Sequence, residues 1–172
     1  MDNDDAFRRT AANRRRAADL LAGVTPEQWS TPSLCAGWTI RELAGHLIMP
    51  IETSIPSFLL TLVGERGSAD RAVDVVSRRL AERGPDEIVR TVREKADSRT
   101  SPPGVGAMGP MSDSCIHLRD AAHPLGSDVT APLDDWRTVL DFLVSPAARR
   151  GFVCAPARRP APARHRSRVA AR

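Results

Sequence analysis

Apolar residues in this chain recur at spacings of three and four, and no stretch alternates convincingly with a period of two. A period near 3.6 builds amphipathic helices, whereas a period of two builds half-buried strands, so the pattern restricts the chain to an all-α fold. Glycines and prolines between the periodic segments leave room for short turns only. Helices joined in this way point to an antiparallel four-helix bundle with short extra helices.

The segments follow one another with recognisable starts and stops. Residues 4–22 read as a first helix, with Phe7, Ala11, Ala18 and Leu21 on its apolar stripe, Arg8, Arg9, Arg14, Arg15 and Arg16 on its wet face, and Gly23 as its stop. Thr25, Pro26 and Gln28 then form a capping box with proline at the first helical position, and Val24 and Trp29 occupy the staple positions. Thr39 and Glu42 repeat the device as T-x-x-E, with Trp38 and Leu43 as the staple, ahead of a face of Ile40, Leu43 and Leu47. A further stripe of Ile51, Ile55, Phe58, Leu59 and Leu62 has Pro50 near its start and Pro56 bending or delaying it. Ala69, Ala72, Val76 and Leu80 mark the next helix, and Pro85 opens another with Ile88 and Val92 inward. Residues 101–110 read as a loop from their prolines and glycines, and Pro132 begins a last helix with Leu133, Trp136, Leu140 and Leu143 as its buried side.

The charge is unevenly spread. The formal net charge is +4, yet residues 147–172 hold eight arginines and no acid, leaving 17 basic against 21 acidic residues in 1–146, a net of −4. The bundle is mildly acidic, and a nucleic-acid partner is disfavoured because only the tail would carry it. Of the last 26 residues, 19 are Ala, Arg or Pro, a composition that cannot bury enough apolar surface to offset its ordering entropy. The expected organisation is therefore a helical bundle over residues 1–146 and a disordered Arg/Ala/Pro-rich tail over 147–172. No apolar run approaches the roughly 20 residues of a membrane span. A polar N-terminus and three cysteines (Cys35, Cys115, Cys154) without a C-x-x-C pair indicate a cytoplasmic protein with no disulfide framework.

The chemistry concentrates in residues 111–126, MSDSCIHLRDAAHPLG. Asp113 and His117 stand four apart, so on a helix their carboxylate and imidazole share one face, as the ligands of a helical metal site do. His46 lies beside Leu43 and Leu47 on the capped helix and so points at or near the core. A histidine there is either a hydrogen-bonded core residue or a third ligand. Cys115, two residues from Asp113 and from His117, points away from that face and reads as core; Cys35 reads as structural. His123 lies about 240° around the helix from His117 and belongs to no shared site.

Four segments together, LLAGVTPEQWSTPSLCAGWTIRELAGHL, LAERGPDEIV, PPGVGAMGP and MSDSCIHLRDAAHPLG, resemble the mycothiol-dependent maleylpyruvate isomerase family of the DinB-like metalloenzyme superfamily. The resemblance implies a DinB-like four-helix bundle holding a divalent metal, usually zinc. It places His46, Asp113 and His117 on the family's metal ligands, and Asp120 on the aspartate of an H-x-x-D element, a residue that supports the site or orients the helix rather than a ligand. The sequence departs from the family at Arg119 and His123, and at its C-terminus, where an Arg/Ala/Pro tail stands in place of further structure; a truncated or frame-shifted end is the expectation there.

Two histidines and one carboxylate leave a position free on a tetrahedral ion, as in catalytic rather than structural zinc sites. The function implied is metal-activated thiol chemistry, isomerisation or thiol transfer, with mycothiol as the small-molecule thiol and a small electrophile as substrate. The alternative is a non-catalytic metal-bound helical module for protein interaction.

Overall fold

The computed structural model describes residues 1–101 and 104–151. It is all-α: α1 (Asn3–Ala22), α2 (Ile40–Glu52), α3 (Ile55–Gly64), α4 (Ala69–Ala81), α5 (Pro85–Glu94), α6 (Met108–Ala122), α7 (Leu133–Leu143) and α8 (Pro146–Gly151), with a 3-10 turn at Gln28–Ser30. Among the described residues the only extended pairing is an isolated bridge between Pro32 and Thr39. The caps work as the sequence indicates. The Thr25 amide donates to Gln28 Oε1 at 3.0 Å and the Gln28 amide to Thr25 Oγ1 at 3.4 Å, while Thr39 and Glu42 form the box that starts α2.

Cross-helix contacts set the directions of the bundle. Asp19 pairs with Arg93, Arg15 with Asp97 and Asp4 with Arg99, so α5 runs antiparallel to α1. Along α6 the order is reversed: Ala6 clusters with Met111, Asn13 meets Cys115, and Leu21 shares a cluster with Leu118 and Ala121, so α6 is parallel to α1. Cys35 meets Asp120 while His46 meets Asp113, which sets α2 antiparallel to α6. Trp38 bonds Asp74, Glu42 pairs with Arg78 and Gly45 abuts Ala81, so α4 runs parallel to α2. The bundle is thus α1, α2, the broken pair α4–α5, and α6, running up, down, down, up. Not every neighbouring pair is antiparallel, because α3 carries the chain back across the bundle between α2 and α4.

The core gathers Ile40, Leu43 and Ile48 of α2 with Val76, Ile88, Val92 and Leu118 from the other helices, all essentially unexposed. Burying each of these large side chains contributes about 1.5–3 kcal/mol. Gly45 sits at the closest approach: a Cβ there would lie 2.3 Å from the Ser77 carbonyl oxygen and 2.8 Å from the Ala81 nitrogen. The missing side chain lets the α2 and α4 backbones touch.

Several helix faces differ from the sequence reading. Arg14 is buried, not on the wet face; it donates to the Ala96 and Ser98 carbonyls at 3.1 and 2.8 Å, closing the negative end of α5. Pro50 lies inside α2, so the helix break comes at Thr53, and Pro56 starts α3 rather than bending it. No residue of the α3 stripe is fully buried: Ile55 and Leu59 are exposed, and Phe58, partly buried, packs against the core. The expected loop over 101–110 ends early, since α6 begins at Met108. On α7, Leu133 and Leu140 are exposed, while Asp135 and Val139 are buried. Asp135 turns that helix, accepting from Arg9 at 2.8 Å and from Asn13 at 3.1 Å. The segment expected to be disordered opens with α8, whose start is capped where the Ala148 amide donates to Ser145 Oγ. The rest of that segment, 152–172, lies outside the described residues.

Gly45→Ala is expected to lower stability by about 2–3 kcal/mol, because the clash is with backbone that cannot rotate away. Urea unfolding followed by circular dichroism measures it, and a variant as stable as the parent would contradict the close approach.

Candidate metal centre

The structure brings His46, Asp113 and His117 together. His46 Nε2 stands 3.1 Å and His117 Nε2 3.4 Å from the same oxygen, Oδ1 of Asp113. The two imidazoles meet edge to face, with ring centroids 4.8 Å apart. Donor atoms of the three residues all lie within 4.8 Å of one another, a spread that one ion can span. His46 is buried, whereas Asp113 and His117 are partly open.

Each ring is held from behind. His46 Nδ1 lies 3.3 Å from Ser77 Oγ, and Trp38 packs against the ring with centroids 5.1 Å apart. Trp38 is itself fixed, its Nε1 donating to Asp74 at 2.6 Å. His117 Nδ1 lies 3.0 Å from Asp120 Oδ2. Both rings therefore present Nε2 to Asp113 and keep Nδ1 for a supporting partner, the arrangement that orients histidine ligands in metal proteins. The donor set fits a divalent ion.

Burial pushes the Asp113 carboxyl up, but the charges of His46 and His117 and their hydrogen bonds outweigh it and hold it well below the usual carboxylate range. His117 moves the other way: burial pulls it down, while Asp113, Asp120 and Cys35 raise it well above the ordinary imidazole value. Burial also raises Asp120, which the hydrogen bonds from His117 and Cys35 bring back below its ordinary value.

Two neighbours carry no signal in the sequence. Ser77 lies beside the apolar Val76 on α4 and reaches His46 only because of the approach at Gly45. Cys35 is read from sequence as structural, yet its thiol donates to Asp120 Oδ2 at 3.2 Å and lies 3.6 Å from His117 Nδ1. Cys115 is fully buried, receives a hydrogen bond from Asn13, and its thiol is pushed up to about 12, chiefly by burial. His123 is exposed beside Arg119 and takes no part.

A family model described as the mycothiol maleylpyruvate isomerase N-terminal domain matches residues 10–102, more than half of the chain. The chain belongs to that family. The match takes in Cys35, the capped start of α2 and His46, and it stops before Asp113 and His117. No curated protein and no solved structure matches the chain significantly. Among the described residues no helix is long and apolar enough to cross a membrane.

The electrostatics give a signed prediction for the metal-free protein. His117 is raised on folding, so its contribution is complete below its unfolded value near 6.5 and is lost as pH rises through the folded value. Asp113 is lowered, so its contribution is present above 3.8 and is lost only on acidification. With chelator present, the urea midpoint should fall as pH rises above about 6.5 through the raised His117 value, and Asp113→Asn should flatten that fall. An unchanged slope in the variant would contradict the pairing.

Proposed function

We propose that this domain binds one divalent ion, zinc by preference, through His46 Nε2, Asp113 and His117 Nε2, and uses it in thiol chemistry on a small electrophile. The observation that carries the reading is the convergence of both Nε2 atoms on one Asp113 oxygen, with both Nδ1 atoms already engaged. Two imidazoles and one carboxylate suit zinc, and three protein donors rather than four is the composition of catalytic sites. When bound, such an ion supplies a Lewis acid that lowers the pKa of a coordinated thiol and polarises a carbonyl.

The chain's own residues prepare the site. Ser77 and Trp38 hold the His46 ring, and Asp120 accepts from His117 Nδ1 and so selects the tautomer with a free Nε2 lone pair once Asp113 no longer holds that proton. The family match supports a low-molecular-weight thiol, mycothiol, as the co-substrate. Isomerisation and thiol transfer both fit this chemistry.

Elemental analysis of protein carrying Cys35→Ser, so that no thiolate beside His117 competes for the ion, tests the site: one zinc per chain is expected, and adding His46→Ala, Asp113→Ala or His117→Ala should lose it. Asp120→Ala should keep the ligands but weaken binding about 10–100-fold. An unchanged zinc content in His117→Ala would reject the site. Turnover of an electrophile that requires mycothiol separates an enzyme from a binding module.

A further inference from the structure

His117 faces two clusters, one with each ring nitrogen. Nε2 faces Asp113 and His46; Nδ1 faces Asp120 and Cys35. The second face has three potential donors of its own, Cys35 Sγ, His117 Nδ1 and Asp120 Oδ2. We propose that these three atoms form a second ion-binding position, selective for thiophilic divalent ions, on the opposite edge of the same imidazole.

The geometry suits an ion as well as it suits hydrogen bonds. The separations are 3.2 Å from sulfur to carboxylate, 3.6 Å from sulfur to nitrogen and 3.0 Å from nitrogen to carboxylate. Around a tetrahedral ion with bonds of about 2.3 Å to sulfur and about 2.0–2.1 Å to nitrogen and oxygen, donors stand roughly 3.3–3.6 Å apart. The cluster needs to open by a few tenths of an ångström at most. Binding would displace the thiol proton that Cys35 gives Asp120 and the ring proton between His117 and Asp120, both of which pass to solvent, leaving Cys35 a thiolate and, with the first ion on Nε2, His117 an imidazolate shared by the two ions.

The thiol is held in place by the loop that carries it. The Ser33 amide donates to the Trp38 carbonyl at 2.9 Å, and the Cys35 amide donates to Ser33 Oγ at 3.1 Å. Gly37 turns this loop with φ 84°, where a side chain would be strained. The Leu34 amide reaches across to the Asp120 carbonyl at 3.2 Å, fastening the loop to α6 beside its own donors. Cys35 is only partly buried, so an ion has access to it. A thiolate in the donor set favours soft or borderline ions such as cadmium and zinc over magnesium or calcium. Cys115 is no rival, since it is fully buried against Asn13.

The proposal depends on the reading above only for which edge of His117 the first ion takes, and cobalt titration separates the two. The full chain is used with Cys154→Ser, so that Cys35 and Cys115 are its only thiols. The first equivalent of cobalt should give ligand-field bands without a sulfur-to-cobalt charge-transfer band. Further cobalt should bring in that band, saturating at a second equivalent. Cys35→Ser should abolish it, Cys115→Ser should keep it, and His46→Ala should keep it while losing the first-equivalent bands. Serine preserves the hydrogen bond to Asp120, so the variant is expected to fold. Absence of the charge-transfer band in excess cobalt, or its persistence in Cys35→Ser, would overturn the second position. Unchanged first-equivalent bands in His46→Ala would instead reject the first site and leave the second standing.

Discussion

At Gly45 the α2 and α4 backbones touch, and the site follows from that contact. A side chain there would overlap the Ser77 carbonyl oxygen and the Ala81 nitrogen. The approach sets Ser77 against His46 Nδ1 and Asp74 against the Trp38 indole, and both hold the His46 ring. With that ring fixed, α6 need supply only one helical turn, Asp113 to His117, to complete the convergence. The parallel pairing of α2 and α4, made by the crossover through α3, is what allows the contact.

Buried polar groups account for the remaining specificity. Unpaired, each would cost on the order of several kcal/mol, and most are matched, Ser112 Oγ and Thr53 Oγ1 being the buried side-chain oxygens without a partner among the described residues. Arg14 meets the carbonyls that follow α5, and Asp135 meets Arg9 and Asn13 and thereby docks α7 on α1. The His46–Asp113–His117 cluster is the largest such investment. Its two imidazoles face one carboxylate with both outer nitrogens engaged, more order than a packing role for His46 requires.

What was legible in the sequence was local. The capping box at Thr39 and the stripe through Leu43 and Leu47 place His46 on the inner face of α2, and the four-residue spacing of Asp113 and His117 puts them on one face of α6. Those rules act within a turn or two of helix. Ser77, Cys35 and Arg14 owe their positions to contacts between elements, which no periodicity reports. The stripe on α7 held only in part for the same reason: Trp136 and Leu143 pack against the core as their spacing indicates, but with Asp135 turned inward to Arg9, Leu133 and Leu140 are left exposed. Pro50 looked like a helix start because proline favours that position, yet the last turn of α2 accommodates it.

The proposed site puts one ion between α2 and α6, bound by nitrogen and oxygen. X-ray absorption at the zinc edge, on the full chain free of added thiol and loaded with a single equivalent of zinc, tests it most directly. Two imidazole ligands with oxygen and no sulfur are predicted. A sulfur ligand at that first equivalent, or a shell without imidazole, would contradict the account.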